Sequence, residues 1–239
     1  MKLNWAAATD LGRARRHNED ALFPRPGPGG SAHGKAVDLL AIVADGMGGH
    51  VGGEVASSLA VEAAVAAQGS AVERVFAANA AVVGRALDRP RLAGMGSTMT
   101  LALFAEGAVE IGHIGDSRAY LYREGVLTQL TRDHSLMADL IESGELTAEQ
   151  AAVHPFRSVI TRAIGLESRV TVDEARRDLQ AGDRVLLCSD GLTGMVADHE
   201  LAALLAKGDA PRTAAALIAA ANQAGGLDNI SLVLVDLPH

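Results

Sequence analysis

This 239-residue sequence holds a single cysteine, Cys188, so no disulfide can close within the chain and no thiolate zinc site can be built from it. A reducing compartment, the cytoplasm, is the expected setting. Aromatic residues make up only 3% of a chain that is 49% hydrophobic, so Ala, Val and Leu have to fill the core by tight aliphatic packing. Basic residues are also scarce. The 21 Lys and Arg stand against 29 Asp and Glu, a formal net charge of −8, and clustered Lys and Arg are what grip a phosphate backbone. The one basic knot, residues 13–17, is too short to change this, which excludes a general nucleic-acid surface. No apolar run approaches the roughly 20 residues of a membrane span, and MKLNWAAATD is polar within ten residues, unlike a signal peptide. A cytosolic monomer with no membrane partner is expected.

Motifs that are missing narrow the chemistry. The run GMGGHVGGE lacks the dinucleotide-binding spacing, and where it would match a phosphate loop it puts Glu54 in place of the required Lys. No nucleophile-elbow signature surrounds Ser117 or Thr193, so both read as turn hydroxyls. Cys188 sits in RVLLCSD without a basic neighbour to lower its pKa, and reads as a buried, inert thiol. No internal repeat is present.

What is there has a clear rhythm. At this length one domain spanning 1–239 can bury about three quarters of its unfolded surface. LNWAAATD reads as a strand, the Pro- and Gly-rich residues 23–35 as an exposed loop, and VDLLAIVA as a strand that stops at Asp45. Two amphipathic helices follow over 54–68 and 70–87, then a meander over 97–104, 108–115 and 118–125. Residues 131–165 break the rhythm with small helical pieces and read as an insertion. Strands return at 169–177 and 183–190, one or two helices fill 202–226 around Pro211, and NISLVLVDL closes the chain. Paired helices and runs of strands point to an α+β fold with packed sheets.

Carboxylates recur beside glycines at the predicted strand ends: Asp45 (ADGMGG), Asp116 (IGDSRAY), Asp190 (CSDGLTG) and Asp228 (GGLDNIS), with Glu19 and Asp20 (HNEDA) near the N-terminus. Any one Asp-Gly pair alone reads as a turn. Four in such contexts can converge on one point, and carboxylates sharing a pocket need a countercharge before they ionise together. Oxygen-only ligands favour hard cations such as Mg²⁺ or Mn²⁺.

The ordered set RARRHNEDA, VADGMGGHVGGE, GSTMTLAL, IGDSRAYLYREG, LTRDHS, VITRAIG, LLCSDGLTG and DNISLVLV resembles the bacterial branch of the metal-dependent protein phosphatases, the PPM or PP2C family, over nearly the whole chain. The resemblance implies a sandwich of two antiparallel sheets flanked by helix pairs, with a metal site at one end. It implies hydrolysis of phosphoserine and phosphothreonine by direct attack of a metal-bridging water or hydroxide, opposing bacterial Ser/Thr kinases, with phosphorylated proteins as partners. On that pattern Asp45 bridges two Mn²⁺ or Mg²⁺ ions, Gly46 offers its carbonyl, Asp190 and Asp228 hold the second ion, and Glu19 and Asp20 act through waters. Asp116 with Asp190 holds a third ion seen in bacterial members. Arg15 takes the phosphate-binding position, its neighbours Arg13 and Arg16 reading as surface charges. Residues 131–165 take the place of the family's flap.

A site of this kind suits the reaction. Phosphate-monoester hydrolysis needs up to about 10²¹-fold acceleration, whereas a general acid or base alone gives about 10²- to 10⁴-fold. Electrostatics and positioning must supply the rest. The sequence departs from the eukaryotic pattern at Met47, where a His would stand, which leaves the general acid open among His17, His50 and a metal-bound water. An alternative is a catalytically weak regulator that binds phosphoproteins, but such a protein is expected to lack one of Arg15, Asp45, Asp190 or Asp228. A third reading, phosphatase of an anti-sigma-factor antagonist, shares the chemistry and differs only in partner.

Overall fold

The computed structural model describes residues 2–27, 29–48 and 52–238. From the N-terminus the chain forms β1 (Leu3–Asp10), β2 (Asp20–Phe23), β3 (Ser31–Ala36) and β4 (Leu39–Met47), then the helices α1 (Gly52–Ala66) and α2 (Ala71–Asp88). A two-residue β5 (Gly96–Ser97) leads into β6 (Met99–Ala105), β7 (Ala108–Ile114), β8 (Arg118–Arg123) and β9 (Val126–Gln129). Two small helices follow, α3 (Leu136–Glu142) and α4 (Ala148–Ala152). The chain then runs through β10 (Asp173–Asp178), β11 (Arg184–Cys188), α5 (Asp190–Thr193), α6 (Asp198–Leu205), α7 (Ala210–Gln223) and β12 (Ile230–Asp236).

The strands make two antiparallel sheets, one ordered β3-β1-β12-β11-β8-β9 and the other β10-β7-β6-β4-β2 with β5 beside β4. Alternation along each strand decides the layers. Ala41 and Val43 of β4, Val185 and Leu187 of β11, and Val233 and Val235 of β12 form one apolar cluster between the sheets. Their neighbours face the other way. Ile42 and Ala44 pack on α1 and α2, while Leu186, Leu232 and Leu234 pack on α5, α6 and α7. The expected α+β architecture is therefore observed, as four layers: helices, sheet, sheet, helices. Alanines at 56, 60 and 64 give α1 a small-residue face that lies close on β4. Local signals fix the helix starts. Ser70 and Glu73 make a reciprocal cap on α2, at 3.2 and 2.8 Å. Pro211 lies in the first turn of α7, where its missing N–H costs nothing, so it starts this helix and does not break one.

Some boundaries differ from the sequence reading. The edge strand β3 takes in residues 31–35, expected in the exposed loop, and is held by pairing with β1 and not by any apolar pattern of its own. The strand expected to stop at Asp45 runs on to Met47, because Gly46 and Met47 pair with Ser97 and Gly96 of β5. Strand β11 ends at Cys188, and Asp190 instead opens the short helix α5. Strand β9 has exposed alternate positions and was not expected. No helix among the described residues is long and apolar enough to cross a membrane.

Candidate metal centre

The core between the sheets changes character at one end. On β4 the inward positions Ala41 and Val43 are followed by Asp45. On β2 Leu22 gives way to Asp20, which pairs with Asp45 across the ladder. The same two-residue step takes Ala7 to Thr9, Ala102 to Thr100, Ile111 to His113, Ala119 to Ser117, Leu187 to Ser189 and Val233 to Ser231. Carbon is replaced by oxygen or nitrogen on every strand that reaches this end. These groups bond to one another: Thr9 and Ser231 hydroxyls are 2.8 Å apart, Ser189 donates to Asp20 Oδ2 at 2.9 Å, and Thr98 Oγ1 accepts the Asp45 N–H at 2.9 Å.

The carboxylates gather here. Burial, then Asp20, Asp190 and Asp116, hold the Asp45 carboxyl well above its usual range. Burial pushes Asp20 up to about 8 despite hydroxyl donors from Ser231 and Ser189, with Asp190 and Asp228 adding to the rise. Asp116 is pushed up to about 7 by burial and then by Asp190, and Asp190 is raised by burial and by Asp228. Asp20 Oδ1 and Asp190 Oδ1 are buried without any hydrogen-bond partner. An oxygen atom so placed lacks a positive neighbour. Among the described residues no three His, Cys, Asp or Glu close into a ligand shell of their own. The two unpartnered carboxylate oxygens, in a set of oxygen donors, suit a hard cation.

Glu19 and Gly46 meet beside α1. A Cβ on Gly53 would stand 2.5 Å from Glu19 Oε2 and 2.8 Å from the Gly46 carbonyl, so only glycine allows these two oxygens to lie side by side. Gly46 N–H donates to the Glu19 carbonyl at 3.1 Å. Arg15, half-exposed, donates to Asp228 Oδ2 at 2.6 Å, and this bond, with the charges of Asp228, Glu19 and Asp45, raises its already high pKa. The sequence-predicted set of Arg15, Glu19, Asp20, Asp45, Gly46, Asp116, Asp190 and Asp228 is thus brought to one end of the sandwich. His17 is exposed beside it, and His50 lies outside the described residues. Cys188 is buried, its thiol pushed up to about 12, as an inert core residue requires. Ser117 follows the bend at Gly115 and Asp116 and is fully buried, with its hydroxyl 2.8 Å from Thr98 Oγ1.

A cleft of about 470 Å³ opens between Asp116 and Asp190 on one side and Met137, Ile141 and Arg157 of the 131–165 segment on the other. Its floor holds a pair that sequence reasoning left unassigned, Arg118 bidentate on Asp133 at 2.9 and 2.7 Å.

The protein phosphatase 2C family profile matches residues 13–224. The chain belongs to the protein phosphatase 2C family. Within the family, the serine/threonine phosphatase stp of Listeria monocytogenes is 40% identical over 242 residues, covering 95% of this chain and 93% of that protein. The serine/threonine protein phosphatase PstP of Mycobacterium tuberculosis is 39% identical, covering 99% of this chain and 45% of its own length. The crystal structure of Mycobacterium tuberculosis PstP/Ppp superposes with a TM-score of 0.89 at 38% identity, covering all of both chains. A PstP catalytic domain in complex with two manganese ions superposes at 0.86 with 35% identity, again covering both chains fully. This family chain also relies on side chains that the sequence did not single out. Asn229 accepts the Glu19 N–H at 2.9 Å and donates to the carbonyls of Leu11 and His17, both at 3.0 Å, pinning the acidic loop to β12. Its only signal was adjacency to Asp228.

Proposed function

We propose that this chain is a metal-dependent hydrolase of phosphoserine and phosphothreonine in proteins. The observation that carries the reading is the cluster of buried carboxylates with two orphaned oxygens, in a member of the protein phosphatase 2C family. These residues fit divalent cations such as Mn²⁺ or Mg²⁺. Asp45 and the Gly46 carbonyl would hold the first, with Glu19 and Asp20 acting through its waters, Asp45, Asp190 and Asp228 would hold the second, and Asp116 with Asp190 a third. Such ions would supply a water nucleophile at neutral pH and offset charge on the phosphoryl oxygens.

The chain's own part is to bind, orient and hold charge in place. Strands of both sheets deliver rigid backbone to the site, and Ser189, Thr98 and Asn229 fix Asp20, Asp45 and Glu19 before substrate arrives. Arg15 is the cation at the rim of an otherwise acidic site, and its planar fork suits two oxygens of a phosphate group. Its present partner Asp228 orients it toward the cluster. Arg118 is committed to Asp133 and is not free for substrate. Residues 131–165 act as a flap on one domain spanning 1–239, and the cleft beneath them admits a polypeptide carrying the phosphorylated residue. A monomer in the bacterial cytoplasm, opposing Ser/Thr kinases, completes the reading. With Arg15, Asp45, Asp190 and Asp228 all present, the weak-regulator alternative has no residue loss to support it.

The test is hydrolysis of a phosphothreonine peptide and a phosphotyrosine peptide over a Mn²⁺ titration, with chelator and Asp228→Asn as controls. Metal-dependent turnover of the phosphothreonine peptide that collapses in the variant is expected. Folded, metal-loaded protein that binds the peptide and releases no phosphate would overturn the assignment.

A further inference from the structure

The segment between β9 and β10 is held at both ends against the loops that carry the carboxylates. At its leading end His134 N–H donates to the Gly115 carbonyl at 2.7 Å, and Gly115 N–H donates back to His134 Nδ1 at 3.1 Å. At its trailing end Ile164 and Ser97 exchange both backbone bonds, at 2.9 and 3.1 Å, and Ser97 Oγ donates to the Asp45 carbonyl at 2.9 Å. Thr161 N–H joins the two ends by donating to the His134 carbonyl at 2.8 Å.

The ring of His134 is the centre of this arrangement and is 1% exposed. Because Nδ1 accepts from a backbone N–H, the ring proton sits on Nε2, which lies 3.1 Å from Asp173 Oδ2 and 3.2 Å from Arg162 Nη1. Arg162 Nη1 donates to Oδ1 of the same carboxylate at 3.1 Å, so β10 fixes the ring from behind. His113 packs against it with ring centroids 4.9 Å apart and donates Nε2–H to the Arg132 carbonyl at 2.9 Å. Gly115 has φ +111°, a bend that other residues rarely adopt, and it directly precedes Asp116. A glycine bend is soft unless something outside it holds it. Here the holder is a side chain of the segment that covers the cleft.

We propose that His134 is a positioning residue that sets the Asp116 turn and the base of the 131–165 segment as one unit, with Arg162 and Asp173 locking its ring. Only the kinetic arm of its test rests on the phosphatase reading. The variants separate the two sides of the ring: His134→Asn keeps an acceptor where Nδ1 stands, His134→Gln keeps a donor at the reach of Nε2, and His134→Ala removes both. Amide exchange is followed by mass spectrometry on the metal-free, full-length chain. His134→Ala is expected to speed exchange about tenfold in peptides covering 115–118 and 134–142 together, the loss of about one net hydrogen bond, with β11 and β12 peptides unchanged. Asn should restore the 115–118 peptide and Gln should not. In the Mn²⁺-loaded enzyme the same order should hold for kcat on a phosphothreonine peptide, Asn retaining more than Gln or Ala. Faster exchange confined to 134–142, or Gln rescuing 115–118 as well as Asn does, would overturn the proposal. If Ala fails to fold, the Asn and Gln pair decides alone. A wild-type chain without metal-dependent turnover would sink the phosphatase reading and leave the exchange result standing.

Discussion

The two ends of the sandwich are built from the same strands and do opposite things. At one end Leu3, Phe104, Leu179 and Leu237 close the space between the sheets with carbon. At the other the same inward rows finish in Asp20, Asp45, Ser189, Thr9 and Ser231. The apolar end lowers its free energy by excluding water, whereas the acidic end holds like charges near one another and raises it. Stability and function are thus separated along one axis, a few residues apart on each strand. The comparison predicts that substitutions at the two ends will move folding and catalysis in different directions.

The largest expected effect is on the acidic end. Asp45→Asn removes the carboxyl that burial and Asp20, Asp190 and Asp116 act on together, and turnover of a phosphothreonine peptide should fall by about 1,000-fold, the upper range for losing one preorganised electrostatic group. The metal-free variant should nonetheless melt at a higher temperature than metal-free wild type, because a buried carboxyl that folding keeps from ionising is gone. A lower melting temperature would show that Asp45 stabilises the fold and that the separation of ends is wrong. At the other end Phe104, 2% exposed, should behave in reverse. Phe104→Ala is expected to cost about 3–5 kcal/mol in denaturant unfolding while leaving kcat per folded molecule close to wild type.

Acidity sharpens the contrast next. Asp20 and Asp116 are held up to about 8 and about 7, so the folded, metal-free protein keeps protons that the unfolded chain sheds above its ordinary carboxylate range. Folding is therefore favoured most at acid pH, and the advantage is lost as pH rises through those folded values. Metal-free protein should melt at a lower temperature at pH 8.5 than at pH 6, by an amount of roughly 5–10 °C. Mn²⁺ at about 100 times its Kd should add about 2.7 kcal/mol at the higher pH and flatten the slope. A slope that is the same with and without Mn²⁺ would remove the carboxylates from the ion's binding site.

Much of this division was legible in the sequence, and the residues show why the rest was not. Asp45, Asp190, Asp228 and Asp116 stood out as carboxylates at strand ends with glycines close by, and strand rows such as VLLC and LVLV are apolar throughout, as strands buried on both faces are. The register did not show. That Asp20 pairs with Asp45, or that Thr9 meets Ser231, depends on which strands neighbour one another, a long-range fact with no local signature. The edge strand β3 was lost for a similar reason: SAHGKA has no pattern of its own and becomes a strand only because β1 offers it a ladder. Asn229 and Ser189 were passed over because their importance lies in what they hold.

Ser189 gives the finest test of the comparison, since it sits one inward step beyond Leu187 and marks where the core turns polar. Its hydroxyl donates to Asp20 Oδ2 at 2.9 Å and accepts the Ser231 N–H at 3.0 Å. Ser189→Ala continues the apolar row by one residue, taking a donor from Asp20 and an acceptor from the Ser231 N–H. Outer partners of metal ligands typically matter by about 10- to 100-fold in metal affinity or activity, so the Mn²⁺ concentration for half-maximal turnover should rise by about that factor. Because Asp20 itself remains, kcat at saturating Mn²⁺ should recover to near the wild-type value. An unchanged Mn²⁺ requirement with a lower kcat would mean that the hydroxyl acts on the reacting groups and not through Asp20. The border between the two ends would then lie one residue nearer the core.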